Sequence, residues 1–151
     1  MTTTETATTS SYLGYSSSYI KQAQSVKSAG TGVEKVAVAL ARKGSPTIPI
    51  TVRLRSTLKG ADLATATITP VMVTSTSSSS PEWVEVYVGR QGILTAGSPL
   101  YVVLDTGTYD LKNYYYVPLN SRNPYANGNH YRGTSFYPNS ASDMLVKVWF
   151  T

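Results

Sequence analysis

The sequence predicts an all-β domain built as an antiparallel β-sandwich, and three observations support this. Ser and Thr make up 39 of the 151 residues and Tyr another 12, a composition that favours strands and polar turns. From about Ile20 onward, short apolar segments with a period of two recur between clusters of Gly, Pro, Ser and Asn. A sustained helical period of 3.6 residues is absent from the sequence, and its best helical candidate is a single turn at Val71–Val73.

About eight to nine strands are expected, a number typical of a two-sheet sandwich. In chain order they are Gln22–Val26, Val36–Ala41, Thr47–Arg55, Leu63–Ile68, Trp83–Val88, Leu100–Asp105, Tyr114–Leu119, Tyr131–Tyr137 and Met144–Phe150. The third is the clearest, because Ile50, Val52 and Leu54 alternate with Thr and Arg. Pro49 cannot donate a ladder hydrogen bond, so this strand is expected at a sheet edge or pairing only after the proline.

The length fits one domain preceded by a short arm. Residues 1–19 are dominated by Thr and Ser, with tyrosines at Tyr12, Tyr15 and Tyr19, and hold little apolar material. We expect this segment to be disordered or to form an extended arm lying on a neighbour, and residues 20–151 to form the sandwich. The start lacks the basic and then apolar pattern of a Sec-type signal peptide. The longest apolar run, Val36–Ala41, is too short to span a bilayer.

The residue types that catalysis and cofactor binding require are scarce. Cysteine is absent, which excludes disulfides, thiolate zinc sites and cysteine nucleophiles. His130 is the only histidine, and the spacing of the eight acidic residues selects no pair of carboxylates. Asp105, Thr106, Asp110 and Asn113 offer oxygens for calcium, but their spacing matches no metal-binding loop. We therefore expect a protein that is not an enzyme and that uses neither a cofactor nor a metal.

Tyrosines and asparagines are concentrated in the C-terminal third, where they serve either as core residues or as a contact surface. The residues expected to contact a ligand or partner are Tyr109, Asn123, Tyr125, Asn127, His130, Tyr131 and Arg132. Ala37 and Ala39 lie on the strand face opposite the core, where a lone sandwich usually exposes polar residues. We therefore expect a loop, the arm or another subunit to cover them.

Positive charge is concentrated in residues 21–59, which carry eight basic residues against Glu34. This segment lacks the interleaved aromatic residues and the recognition helix of nucleic-acid-binding proteins, which favours a solvated or subunit-facing surface over phosphate binding. The expected subunit contacts are Tyr12, Tyr15, Ala37, Ala39, Arg53 and Arg55.

The order of several segments along the chain is informative. They are Lys35–Arg42 with Gly44-Ser45-Pro46, Ile50–Arg55, Leu63–Ile68, Trp83, Leu94–Gly97 leading into Tyr101–Leu104, Asn123–Gly128 and Asp143–Val148. Over about residues 20–150 this order resembles a broad group of jelly-roll modules. Such modules occur in phage virion proteins and, as adhesive or carbohydrate-binding-like domains, in microbial surface proteins.

This resemblance implies a jelly-roll sandwich that acts as a virion structural protein, for capsid decoration or on the tail surface. Its expected partners are other virion proteins or identical subunits in a homo-oligomer and, in addition, host surface glycans, with no nucleic acid and no membrane insertion. The alternative is a carbohydrate-binding or adhesive module of a secreted or cell-surface protein, whose loop tyrosines stack on sugar rings. The expected location is the virion surface or, for the alternative, the cell exterior.

Overall fold

The computed structural model describes residues 7–121 and 128–151, and it confirms an all-β sandwich of two antiparallel sheets. The described residues form twelve strands, more than the eight or nine expected. These are β1 (Thr9–Leu13), β2 (Lys21–Lys27), β3 (Val33–Lys43), β4 (Ile50–Arg55), β5 (Asp62–Ile68), β6 (Glu82–Arg90), β7 (Pro99–Asp105), β8 (Tyr114–Asn120), β9 (His130–Arg132), β10 (Tyr137–Asn139), β11 (Asp143–Met144) and β12 (Val146–Phe150). Two short 3-10 helices span Ser17–Tyr19 and Pro70–Met72, the second overlapping the expected helical turn.

Each sheet holds six strands. The first sheet runs β1-β8-β3-β12, with β11 beside β8 and β6 beside β3. The second sheet runs β10-β9-β2-β7-β4-β5. Most connections cross from one sheet to the other, as in β2 to β3 to β4, and such crossings build jelly-roll and other Greek-key sandwiches.

Three differences account for the additional strands. Thr9–Leu13 pairs with β8 of the same chain, so this part of the expected arm belongs to the first sheet. The expected strand Tyr131–Tyr137 is a hairpin of β9 and β10, because Gly133 and Phe136 turn the chain with φ values of 76° and 54°. The last expected strand is divided between β11, which pairs with β8, and β12, which pairs with β3.

The strand that follows Pro49 begins at Ile50, so its pairing starts after the proline as expected. It is an internal strand, since β4 lies between β7 and β5. The alternative placement at a sheet edge was therefore wrong, and a proline directly before a strand costs that strand no ladder hydrogen bond.

The inner faces of the sheets enclose one apolar core. Its central members alternate along three strands and are at most 1% exposed: Val36, Val38, Leu40, Ile50, Val52, Leu54, Leu100, Val102 and Leu104. Removing this apolar surface from water is the main driving force for closing the sandwich. Tyr115 is also buried there, where its hydroxyl donates to the carbonyl of Ile48 at 2.7 Å and burial raises its pKa to about 12.

The interior becomes polar where β2 and β9 face β1 and β11. Gln22 Nε2 donates to Ser11 Oγ and to the carbonyl of Tyr12, both at 2.8 Å. Gln24 Nε2 donates to Asp143 Oδ1 at 2.8 Å. Buried polar groups are costly unless they are hydrogen-bonded, so these contacts allow a polar layer to exist between the sheets.

His130 completes this polar layer. Its Nε2 lies 2.7 Å from Gln22 Oε1 and its Nδ1 lies 3.1 Å from Asn139 Nδ2. Burial, with a smaller contribution from the charge of Arg132, lowers the pKa of His130 to about 4. The imidazole is therefore neutral at neutral pH, and these partners fit a ring that donates from Nε2 and accepts at Nδ1.

Candidate functional site

The outer face of the second sheet carries charged and aromatic residues in regular rows. Residues in register share one face of a sheet. The central outward row crosses five strands and consists of Tyr131, Ala23, Val103, Arg53 and Thr65. The row on one side places Lys21 opposite Asp105. The row on the other side places Tyr101 opposite Arg55, which in turn lies opposite Asp62.

Two loops rise beside this face and pack onto it. Ala23, Val103 and Phe136 form a small apolar cluster outside the main core, and Leu58, Tyr101 and Tyr131 pack against it. Leu58 comes from the loop between β4 and β5, and Phe136 comes from the turn between β9 and β10. The cluster therefore fixes both loops on the sheet.

An open groove of about 490 Å³ lies on this face between the two loops. It is lined by Lys21, Arg55, Lys59, Thr134, Ser135 and Phe136. The volume is in the range of small-ligand sites, about 300–1,000 Å³. With apolar residues packed beside it and polar residues along its lining, this groove is the candidate binding site.

A network of ion pairs fixes the arginines of this face. Arg53 Nη1 lies 2.7 Å from Asp62 Oδ2, and Arg53 Nε lies 3.1 Å from Asp105 Oδ2. Arg55 Nε lies 2.8 Å from Asp62 Oδ1 and its Nη1 donates to the carbonyl of Leu58 at 3.0 Å. Burial alone would raise the pKa of Asp62, but the hydrogen bonds from Arg55 and Arg53 outweigh it and lower that pKa. The guanidinium groups are thus held in place before any ligand arrives.

The two lysines of the groove lack such partners. Among the described residues, no carboxylate forms an ion pair with Lys21 or Lys59. Lys21 Nζ lies 6.0 Å from the centre of the Phe136 ring, the outer limit for a cation–π contact. Both ammonium groups are therefore available to a ligand.

Three of the residues expected to make contacts lie on this face. Tyr131 was expected to contact a ligand, whereas Arg53 and Arg55 were assigned to a subunit contact. Tyr109 is 46% exposed, in the loop between β7 and β8, and does not line the groove. Arg132 is exposed at the end of β9. Three further expected residues lie outside the described residues: Asn123, Tyr125 and Asn127.

The placement of His130 on a contact surface was wrong. Its side chain is 0% exposed because β9 directs it between the sheets and directs its neighbour Tyr131 outward. Side chains alternate along a strand, so an outward Tyr131 requires an inward His130. This alternation was the signal in the sequence that separated the two residues.

Ala37 and Ala39 are covered, as expected, but by their own chain. They are 1% and 2% exposed. Ala39 is paired with Trp83, and Ala37 is paired with Glu85 on one side and Lys147 on the other. The assignment of these alanines to a subunit contact was therefore wrong, because large cross-strand neighbours already bury them.

Tyr12 and Tyr15, also expected to contact a subunit, belong to a tyrosine cluster on the outer face of the first sheet. Its members are Tyr12, Tyr15, Tyr19, Tyr114 and Tyr116. Ring centres within the cluster are 4.7 to 6.1 Å apart, often edge to face, a favourable arrangement for aromatic pairs. The cluster fastens β1 and the turn after it to β8, and Tyr12 is its most accessible ring at 38% exposure.

Several groove residues were not predicted as site residues, because they come from separate segments that only folding brings together. They are Lys21, Lys59, Thr134, Ser135 and Phe136 in the lining, and beside it the ion-pair partners Asp62 and Asp105. The useful signal was the concentration of positive charge in residues 21–59, because Lys21, Arg53, Arg55 and Lys59 all come from that segment. Charge alone did not show which bases would converge.

Comparison of the chain with protein-family models, curated proteins and solved structures gave no match in any of the three. Within residues 7–121 and 128–151, no helix is long and apolar enough to cross a membrane. The same residues contain no group of three or more His, Asp or Glu arranged to hold a metal ion. A function is therefore inferred from the geometry of the groove.

Proposed function

We propose that the protein is a non-catalytic binding module that holds a glycan in the groove on the outer face of its second sheet. The observation that carries this proposal is the groove of about 490 Å³, which combines a polar lining with an adjoining aromatic and apolar cluster. Sugars offer both hydroxyl groups and apolar ring faces, so they need hydrogen-bonding groups beside an apolar surface. This groove offers both.

The fixed position of the arginines favours binding. Asp62 and Asp105 hold Arg53, and Asp62 and the carbonyl of Leu58 hold Arg55. Ordering side chains during association costs binding free energy, so groups that are ordered in advance bind more tightly. The strands beneath the groove supply this rigidity.

The proposed setting is the surface of a virion, on the capsid or the tail, where the module would attach the particle to host glycans and bind other virion proteins or identical subunits. The resemblance to jelly-roll modules supports this setting. The alternative, an adhesive module of a secreted or cell-surface protein, uses the same groove. Antibody labelling of purified particles separates the two settings, because labelled particles are expected only for the first.

Binding is tested with the full chain on an array of neutral and acidic glycans, followed by calorimetry with the strongest ligand. Ser135 lines the groove and is exposed, so Ser135→Trp should fill the groove and weaken binding at least tenfold. Ser140→Trp is the matched control, since Ser140 is exposed in the turn after β10 and does not line the groove. Circular dichroism checks that both variants are folded.

Two results would contradict the proposal. One is a folded protein that binds no glycan on the array. The other is a glycan that Ser135→Trp binds as tightly as the unmodified chain does, because that glycan would occupy another surface.

A further inference from the structure

We infer that the ligand of the groove is an acidic glycan, whose sugar carboxylate contacts the ammonium groups of Lys21 and Lys59. This inference rests on the proposed function and names the class of ligand for the same site. It comes from the charge balance of the groove, the lack of ion-pair partners for its lysines among the described residues and the burial of Phe136, the aromatic ring in its lining.

The charge balance of the groove face is positive. In and beside the groove lie four cations, Lys21, Arg53, Arg55 and Lys59, against the two carboxylates of Asp62 and Asp105. The carboxylates are already shared between the arginines, at distances of 2.7 to 3.1 Å. Two positive charges therefore remain for a ligand to neutralise, and both belong to lysines that line the groove.

Two lysines on the other outer face, Lys35 and Lys147, are engaged within the chain. Lys35 Nζ lies 2.7 Å from Glu85 Oε1 and 4.4 Å from the centre of the Trp149 ring. Lys147 Nζ lies 4.1 Å from the centre of the Trp83 ring. In the groove, by contrast, two ammonium groups that form no ion pair within the described part of the chain belong to one lining, and charge complementarity favours an anionic ligand there.

The aromatic rings near the groove favour a sugar over a nucleic acid. Single-stranded nucleic acids need exposed rings on which successive bases stack. Phe136 is only 7% exposed, and Tyr101 and Tyr131 pack against each other with ring centres 5.9 Å apart. Of these rings only Phe136 lines the groove, and it is buried, so successive bases would find no exposed ring in the described lining and its polar residues supply most of the contacts. A sugar carboxylate beside hydroxyl groups provides such contacts.

The test compares acidic sugars with neutral counterparts. Calorimetry with the full chain uses a galacturonic acid trimer and its fully methyl-esterified form, which keeps the rings and removes the charge. Sialyllactose and lactose form a second pair, and a short single-stranded oligonucleotide represents phosphate. We expect at least one acidic sugar to bind at least tenfold more tightly than its neutral counterpart and more tightly than the oligonucleotide.

The paired variant Lys21→Met with Lys59→Met should remove that preference. We expect it to weaken binding of the acidic sugar at least tenfold and to abolish the advantage of that sugar over its neutral counterpart. The matched control is Lys27→Met with Lys43→Met, which removes the same charge from two exposed lysines outside the groove. These four positions are at the surface, so both variants should fold.

The inference is overturned if neither acidic sugar is preferred, if the oligonucleotide binds most tightly, or if both paired variants have the same effect. Ser135→Trp then separates this failure from that of the proposed function. If a neutral glycan binds the unmodified chain and Ser135→Trp weakens that binding, the groove remains a glycan site with a different specificity. Loss of all glycan binding in every assay would overturn both.

Discussion

The two outer faces of the sandwich are both rich in aromatic and basic residues, but their charges are satisfied differently. On the first sheet, Lys35 and Lys147 are engaged by Glu85 and by the rings of Trp149 and Trp83. On the second sheet, Lys21 and Lys59 remain free beside a groove. Composition alone would treat these faces as equivalent, whereas the partners of each side chain distinguish a self-contained surface from one that can gain contacts with a ligand.

Aromatic residues follow the same division. The tyrosine cluster of the first sheet consists of rings that contact one another, and its role is to attach β1 to the sandwich. Tyr101 and Tyr131 of the second sheet pack against the small apolar cluster that includes Phe136, which lines the groove. Three variants test this comparison by measuring whether a change outside the groove alters the stability of the fold without altering ligand binding.

The largest effect is expected from the polar layer that lies between both faces. His130 has a pKa of about 4, below its ordinary value of 6.5, so the unfolded chain takes up a proton at a pH where the folded chain does not. Its contribution to stability is therefore complete above pH 6.5 and is lost as the pH falls toward 4. Between pH 7.5 and pH 5, the free energy of unfolding should fall by about 2 kcal/mol. Urea denaturation at a series of pH values measures this slope.

His130→Gln is the control for that slope, because the chain has no other histidine. The variant should be less stable at pH 7.5, with a nearly flat profile down to pH 5. If it does not fold, the single imidazole signal in the NMR spectrum of the unmodified chain still gives the pKa directly. A ring that titrates near 6.5 would refute the assignment of His130 as a buried neutral group.

An intermediate effect is expected in the tyrosine cluster. Tyr15 contacts the rings of Tyr12 and Tyr114 at 5.0 and 4.7 Å. Since each of its two aromatic pairs is worth about 0.5–1.5 kcal/mol, Tyr15→Ala should destabilise the fold by about 1–1.5 kcal/mol. Tyr87→Ala is the control on the same face, because Tyr87 is 76% exposed and should cost little. Loss of glycan binding by a folded Tyr15→Ala would break the distinction between the faces.

The smallest effect is expected at Lys147, whose ammonium group lies over Trp83. Lys147→Met should destabilise the fold by about 0.5–1 kcal/mol, the typical value of a cation–π contact. The measurement is the denaturation midpoint followed by tryptophan fluorescence, with Lys43→Met as an exposed control. Glycan binding should be unchanged, in contrast to the paired variant of Lys21 and Lys59. Equal losses of binding at Lys147 and at the groove would mean that only net charge matters.

Periodicity of two placed most strands correctly, because burial of alternate apolar residues acts within a single segment. It failed where local turn geometry or a distant partner decides the outcome. The hairpin after His130 depends on the positive φ of Gly133 and Phe136, and β1 exists because Leu13 finds an apolar interior beneath β8. The candidate site was harder still, since its lining comes from β2, from the end of β4 and from two loops.

The sequence by itself determined the all-β class, the alternation of the main strands and the segment that supplies the positive charge. These properties depend on composition and on neighbours a few residues away. Tertiary structure alone decided which cations are paired, that His130 lies inside while Tyr131 lies outside, and that Ala37 and Ala39 are covered by their own chain. Each of these depends on which distant strands lie side by side. Sheet register determines that arrangement, and packing of the whole core sets the register.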